Sequence, residues 1–352
     1  MPLRMVRVIN YFGTRLHHTV VALDNNFEAA QGLAGDIDVR LMEARRRPIG
    51  FVRALIDSAV TLRELRPDLL ITYNWGAIEW AMANRLRPVA RQMHFEAGFG
   101  KDEADRQILR RVLFRRWALA GCVKVVVPSR GLDELARNVW KLPQAQVAYI
   151  PNGVDVERFT DPKPDAIPGF SRAPGELVIG TVAPLRAEKN VGRLLRVFAR
   201  LDRSIATRLV IAGDGVERPA LTRLAADLGL ARRVIFTGQV APETVLGTFD
   251  IFALSSDTEQ MPNALLEAMS ASLPVAAVDV GDVKSIVCED NREFIVPRDD
   301  GPAFASAITR LLRDLDKRRA LGAKNRERVV SEYSQERMFA TYSTLLTAEH
   351  VH

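Results

Sequence analysis

Short apolar runs of strand length alternate along this chain with longer stretches whose apolar residues recur every three or four positions. At the start, Met5, Val8, Ile9 and Phe12 recur at i, i+3, i+4 and i+7, a helical stripe that Gly13 is suited to end. A strand through Val6, Val8 and Asn10 is the other reading, and the helix is preferred. The pattern then predicts strands at 19–23, 37–42, 68–73, 89–95, 123–127 and 147–150, separated by helices at 27–33, 48–65, 76–86, 102–120 and 131–139. A segment rich in Pro, Gly and charge, from Asp161 to Gly175, reads as a linker. Alternation resumes with strands at 177–182, 208–212, 234–237, 250–254, 275–278 and 294–296. Their helices fall at 191–201, 218–228, 242–246, 283–287, 302–315 and 317–333, with one more opened by Pro262 and a last one at 337–346.

Strand–helix alternation of this kind implies a parallel sheet covered on both faces. The expected class is α/β: two doubly wound, Rossmann-like domains facing across a cleft. Their limits are 1–160, a linker at 161–175, 176–335, and a terminal helical segment at 336–352 returning toward the first domain. Ligands of such sheets sit at the carboxyl ends of the strands.

The totals narrow the function. At 352 residues, 47% hydrophobic and 26% charged, the chain is long enough for two cores and has the composition of a soluble globular protein. No apolar run approaches the roughly 20 residues that span a bilayer, and no secretory leader is evident. Cys122 and Cys288 lie far apart in apolar surroundings, as reduced core residues of a cytoplasmic protein do. A net charge of +6 suits anionic partners. The arginines lack interleaved surface aromatics and no nucleic-acid motif occurs, so nucleic acid ranks last among them.

The candidate chemistry centres on Ser255 to Met269, a strand-end loop running into a helix. Pro262 fits a first helical turn, and the unpaired amides of Asn263, Ala264, Leu265 and Leu266 form an anion site ready for phosphate. Glu259 lies in the loop and Glu267 one turn into the helix; ionised carboxylates there accept hydrogen bonds from sugar hydroxyls. Phosphate and polyol together suggest a nucleotide-sugar. A surface glutamate beside a capped helix is the plain alternative. Arg186 and Lys189 share another strand-end loop, where fixed cations would stabilise the charge on a departing diphosphate. Solvated surface charges are the plain reading of that pair. Gly213-Asp214-Gly215 allows close backbone approach to a nucleotide and is also ordinary turn chemistry.

In the first half, His94 ends a strand with Glu96 just beyond it, able to position a proton or an acceptor hydroxyl, or else to serve as a satisfied structural histidine. Tyr73-Asn74-Trp75, at another strand end, could line an acceptor pocket together with Glu96. Asp36-Ile37-Asp38 reads as a turn and cap, no Cys/His cluster has zinc spacing, and no metal site is expected.

These motifs in this order resemble the retaining glycosyltransferases of family 4. Glu259 to Glu267 has that family's E-x7-E spacing, Arg186 and Lys189 match its basic pair, and Ile150-Pro151-Asn152-Gly153-Val154-Asp155 looks like its hinge signature. Gly213-Asp214-Gly215 and Val280-Gly281 fall in register. The C-terminal half resembles the family almost throughout, the first half from about Thr19 more loosely. The resemblance implies a GT-B fold and metal-independent, cofactor-free transfer of a sugar with retained anomeric configuration. It also implies a role for each matched residue. Glu259, with Gln260, Met261 and Pro262 beside it, would meet the donor sugar, Glu267 the ribose, and Arg186, Lys189 and the amides of residues 263–266 the diphosphate. His94 matches the first-domain active-site histidine, giving catalytic roles to His94 and Glu259. Gln260 stands where the family often has Gly, narrowing the sugar pocket. The family's opening strand and Gly-Gly loop are not found. If residues 5–12 are the tail of its first helix, both are missing here, as they would be if the recorded start were internal.

The implied reaction moves a sugar from a UDP- or GDP-sugar to a saccharide or lipid-linked saccharide acceptor, in cell-surface polysaccharide or glycolipid synthesis. The alternative is a nucleotide-sugar-binding partner protein of the same fold with weak or no turnover. A sugar-nucleotide epimerase fits the basic pair and E-x7-E less well. Arg110-Arg111-Val112-Leu113-Phe114-Arg115-Arg116-Trp117, and similarly Arg45 to Phe51, mix arginine with large apolar residues. Such faces rest on anionic lipid at the inner face of the plasma membrane, or simply pack inward as solvated helices.

Overall fold

The computed structural model describes residues 3–44, 50–99, 103, 107–161, 167 and 170–347. Two compact units emerge. Unit 1 comprises Met1–Pro128, Leu132–Ile150 and Thr341–His352, and unit 2 comprises Ser129–Gly131 and Pro151–Ala340. The first unit's main stretch therefore ends at Ile150, ten residues before the expected boundary at 160, and the second unit takes up the chain from Pro151, ahead of the expected linker at 161–175. Backbone pairing explains the shift: Val154 N donates to Tyr333 O and Gln335 N donates to Val154 O, at 2.9 Å each, binding this segment to the end of unit 2.

Unit 1 opens with helix α1 (Leu3–Phe12). Val6, Ile9 and Phe12 are buried on one face. On another, the Asn10 amide donates to Gly32 O and accepts from Ala34 N. The helical reading of these residues holds and the strand reading does not. Gly13 follows at a φ of 53° and begins a 3-10 turn, so no strand ending in a Gly-Gly loop forms here. Strands β1 (His18–Ala22) and β2 (Val39–Glu43) make a parallel pair of their own. A second, parallel sheet carries β3 (Leu69–Tyr73), β4 (Arg91–Phe95), β5 (Lys124–Val127) and β6 (Val147–Tyr149) in that order.

Helices α2 (Phe51–Leu65), α3 (Ile78–Leu86), α4 (Leu109–Leu119) and α5 (Arg130–Asn138) lie between these strands in the chain. The helix expected at 27–33 is a 3-10 segment, Glu28–Gly32. Residues 45–49, and 102 with 104–106, parts of the expected basic entry to α2 and of the expected start of α4, lie outside the described residues, as do 162–166 and 168–169 of the linker. Glu103 stands apart from α4, because its carboxylate accepts from Ile108 N at 3.1 Å just ahead of the first helical residue.

Unit 2 is a six-stranded parallel sheet flanked by helices. Its strands are β7 (Leu177–Val182), β8 (Thr207–Ala212), β9 (Val234–Gly238), β10 (Ile251–Leu254), β11 (Val275–Val278) and β12 (Ile295–Val296). Their order across the sheet is β12-β11-β10-β7-β8-β9. Winding runs one way from β7 and the other way from β10, so the topological switch point, where such sheets hold ligands, falls between these two neighbours. The strands read as near-continuous apolar runs because helices cover both faces; β10 and β11 are buried at every position.

The helices are α6 (Val191–Ala199), α7 (Arg218–Asp227), α8 (Pro242–Val245), α9 (Asn263–Ser270), α10 (Val283–Ile286), α11 (Gly301–Arg313) and α12 (Leu315–Glu332), followed by α13 (Gln335–Thr347), whose residues up to Ala340 belong to unit 2 and those from Thr341 to unit 1. Asp314 separates α11 from α12 by capping the second, its carboxylate accepting from Lys317 N at 2.8 Å. Among the described residues no helix is long and apolar enough to cross a membrane.

Candidate active site

At the carboxyl ends of β7 and β10, unit 2 holds a cavity of about 300 Å3. The loop after β7 contributes Ala183, Pro184 and Lys189; the run after β10 contributes Ser255, Ser256, Glu259, Met261, Pro262, Asn263 and Ala264. Lys189 Nζ donates to Glu259 Oε1 at 2.6 Å, and Ser256 Oγ donates to the same oxygen at 2.7 Å. The Glu259 side chain is 11% exposed, so this charge pair is partly removed from water but open to the cavity. A cation and a hydrogen-bonded carboxylate lie side by side at the switch point.

The two loops are locked together from behind. Asn190 adopts a left-handed conformation at the N-terminus of α6, and its amide donates to both oxygens of Asp257 at 3.0 and 3.1 Å. Arg193 donates to Asp257 Oδ1 and to Ser255 O, both at 2.7 Å. Gly213, at a φ of 138°, supports the first loop: a Cβ there would lie 1.9 Å from Ala183 O. Leu185 N donates to Asp214 O at 2.8 Å. Gly213, Asp214 and Gly215 thus buttress the loop that carries Lys189, and none of the three lines the cavity.

Helix α9 begins at Asn263 with Pro262 as its N-cap. Its first amides have no partner within the helix and come at the edge of the cavity, where Asn263 and Ala264 lie. Leu265 and Leu266 have side chains fully buried in the core, and the Leu265 N–H, expected to be unpaired, instead donates to Pro262 O at 3.2 Å as the helix closes its first turn. Glu267 follows Asn263 by one turn on the same helical face. Gln260 does not line the cavity; its amide oxygen accepts from Ser129 Oγ at 3.0 Å. Arg186 is exposed, three residues ahead of Lys189. Asn152 was missed as a site residue. Its amide donates to Met261 O and to Asn263 Oδ1, at 3.1 and 3.0 Å, tying the 151–155 segment to the helix start.

Unit 1 assembles a different cluster at the ends of β3 and β4. Asn74, at a φ of 54°, donates its N–H to Phe95 O at 2.8 Å and accepts from Ala97 N at 2.7 Å through its side chain. This draws Tyr73-Asn74-Trp75 together with the residues around Glu96. Burial pushes the Tyr73 phenol up to about 12, against the pull of Arg4, so it is a neutral hydrogen-bonding group. His94 is 1% exposed, shares a 2.9 Å hydrogen bond with Thr72 Oγ1 through Nδ1, and faces Glu96 Oε2 through Nε2 at 3.8 Å. With both nitrogens turned to the protein, His94 has the geometry of a residue that positions its neighbours. The expected direct contact with substrate would require its ring to be uncovered.

Beyond Glu96 stands Arg115, its guanidinium 5.0 to 5.2 Å from the rings of Trp75, Phe99 and Trp140. It forms a two-pronged ion pair with Glu103, at 3.0 and 2.9 Å. Neither the spacing nor the composition of the sequence marks this buried pair as special. Burial alone would raise the Glu103 carboxyl, but hydrogen bonds from Arg115, Arg111 and Ile108 N hold it below the usual glutamate range. A depressed carboxylate contributes stability that is present above its unfolded pKa and lost as pH falls through the folded one. Glu103→Gln is expected to destabilise unit 1 by about 3 kcal/mol or more at neutral pH, because it strands a buried guanidinium. In urea melts that deficit should shrink as the pH is lowered into the acid range; a deficit independent of pH would contradict the pairing.

Among the described residues no three His, Cys, Asp or Glu side chains are grouped to hold a metal ion. Two family models match in succession: Glycosyltransferase Family 4 over residues 5–158 and Glycosyl transferases group 1 over residues 164–328. D-inositol 3-phosphate glycosyltransferase of Nocardia farcinica is 26% identical over 73% of this chain and 61% of its own length. The GDP-mannose-dependent alpha-(1-6)-phosphatidylinositol monomannoside mannosyltransferase of Mycobacterium tuberculosis is 29% identical over 59% of this chain and 57% of its own. The chain thus spans less than two thirds of these curated relatives. The Anabaena HepE structure with UDP-glucose superposes with a TM-score of 0.81, covering 98% of this chain and 95% of that one at 17% identity, a likeness of fold. With two Rossmann-like units and family models matching both halves, the chain belongs to the family 4, group 1 glycosyltransferases of GT-B fold.

Proposed function

We propose that this protein transfers a sugar from a UDP- or GDP-sugar to a saccharide or lipid-linked acceptor, retaining the anomeric configuration and using neither metal nor organic cofactor. The observation that carries the reading is the Lys189–Glu259 pair in the cavity at the β7/β10 switch point, beside the start of α9. Lys189 and the amides of Asn263 and Ala264, joined by Arg186, neutralise the diphosphate as it leaves. Fixed cations and dipoles there act on charge that grows along the reaction, the task a metal ion performs elsewhere. Glu259 and Glu267 hold hydroxyls of the sugar and ribose as acceptors.

In the proposed step the acceptor oxygen bonds to the anomeric carbon on the face from which the phosphate oxygen departs. The acceptor proton passes to that phosphate oxygen, and nucleoside diphosphate is released. Glu259 is already paired to Lys189, which suits donor binding better than attack as a nucleophile. For the acceptor the proposed residues are His94, held by Thr72 and facing Glu96, with Tyr73, Asn74 and Trp75. Cell-surface polysaccharide or glycolipid synthesis, on the cytoplasmic face of a membrane, is the setting that a basic protein with such substrates fits.

Proton NMR of the first-formed product tests the stereochemistry: the donor's anomeric configuration is expected in it, unchanged by a chelator. An inverted product, or activity lost on chelation and restored by a divalent cation, would contradict the reading. A second reading is a nucleotide-sugar-binding protein without turnover, since the Glu259 carboxylate held by Lys189 in the cavity serves donor binding by itself. Tight donor binding with no turnover on any acceptor would favour it.

A further inference from the structure

In unit 1 the outward face of α4 is apolar and basic together. Leu109 and Leu113 are 72% and 57% exposed, with Arg110, Arg116 and Trp117 exposed beside them. At about 100° per residue these five positions fall within an arc of about 120°, and the buried Val112, Arg115, Ala118 and Leu119 lie off it. The helix carries no acidic residue at all. The start of α2 extends the surface: Phe51 packs on Phe114 with ring centroids 5.4 Å apart, and next to it Val52 and Ile56 are 67% and 52% exposed. Arginines sit on the aromatic rings, Arg110 over Phe114 and Arg85 over Trp117 at 5.9 and 5.5 Å. Large exposed apolar side chains interleaved with stacked guanidinium groups suit the headgroup region of an anionic bilayer. There apolar groups enter the acyl boundary while cations meet lipid phosphate.

The inner side of the same helix touches the acceptor cluster. Trp75 lies 6.4 Å from Phe114 between ring centroids and 5.2 Å from the Arg111 guanidinium. The candidate acceptor residue and the exposed face are thus two sides of one packed group. We propose that the outward faces of α4 and the start of α2 dock on anionic lipid, and that this selects an acceptor saccharide carried on a lipid. A sugar chain reaching Trp75 then has its lipid end where Leu109, Leu113 and Val52 enter the membrane. The inference rests on the glycosyltransferase reading for the acceptor, but not for the docking.

Two measurements on the full chain test it. The first is co-sedimentation with vesicles of phosphatidylglycerol and phosphatidylcholine, without donor. Wild type is expected to pellet at low salt, to release at high salt, and to bind pure phosphatidylcholine weakly. Leu109→Glu/Leu113→Glu changes only exposed positions and should lower partition about tenfold or more, with donor hydrolysis in solution unchanged. The second compares long-chain alkyl glycosides in those vesicles with the matching methyl glycosides in solution as acceptors. Vesicle-borne glycosides should be preferred by wild type and not by the double variant. No binding to anionic vesicles, partition indifferent to the double variant, equal use of methyl glycosides, or a dimer in sedimentation velocity that the double variant abolishes would each overturn the proposal. Pelleting without turnover of any donor would support the docking surface and contradict the transferase reading.

Discussion

Lys189→Ala is expected to lower the turnover number for the proposed sugar transfer by about 10²- to 10³-fold, with a smaller rise in KM. The loss falls on the transition state because the diphosphate gains charge as the glycosidic bond breaks, and the cation is already fixed before it does. Lys189 is fixed by the 2.6 Å bond to Glu259 and by the loop that Asn190, Arg193 and Asp257 tie to the run after β10. Removing it also leaves the Glu259 carboxylate with Ser256 as its remaining described partner, facing an incoming anion. Lys189→Arg keeps the charge at altered geometry and should recover part of the rate. Steady-state kinetics on the best donor of a panel decide it, and a Lys189→Ala enzyme with an unchanged turnover number would remove Lys189 from the mechanism.

Gly281→Ala is expected to disable the same site from a position outside the cavity lining. Gly281 has a φ of 53°, and a Cβ there would lie 2.1 Å from Glu259 O and 3.0 Å from Gln260 O. Both obstacles are backbone, so the 259–260 segment itself has to move. The left-handed conformation and the displaced backbone together should cost about 3 kcal/mol or more. The shift also carries the Glu259 carboxylate away from Lys189. A fall in Tm accompanied by loss of donor affinity is expected. A variant as stable as wild type and binding donor equally well would show that this close approach does not hold Glu259 in place.

What could be read from the sequence was what is local. The stripe Met5, Val8, Ile9, Phe12 gives α1 because helical period alone decides it, although the buried face turns out to be Val6, Ile9 and Phe12. Strands β7, β8, β10 and β11 read cleanly because strands covered on both faces must be apolar throughout. Lys189 and Glu259 were each visible at strand ends, and the structure brings them together. The loop lock was not visible, since Asn190 and Asp257 are 67 residues apart and neither type is unusual in a loop. Ser256 lies inside the recognised run, yet nothing in the run says that its hydroxyl holds Glu259.

In unit 1 the sequence leaves two roles open for His94, positioning a proton or serving as a satisfied structural histidine. Burial is what local pattern could not supply: His94 and Glu96 are each 1% exposed, with Arg115 packed against Trp75, Phe99 and Trp140 beside them. Boundaries next to prolines and glycines shifted for a similar reason. The segment from Pro151 joins unit 2 through strand-like pairing of Val154 with residues 333–335, a long-range contact that no local pattern announces.

The central claim is that the β7/β10 cavity binds a nucleotide-sugar through Glu259 and Lys189 and activates its glycosidic bond. Release of nucleoside diphosphate from a panel of UDP- and GDP-sugars, measured without acceptor for wild type and Glu259→Ala, tests it most directly. At least one donor should be hydrolysed slowly by the wild type, and Glu259→Ala should abolish that hydrolysis while remaining folded by circular dichroism. Hydrolysis of the preferred donor at an undiminished rate by the folded Glu259→Ala variant would contradict the account.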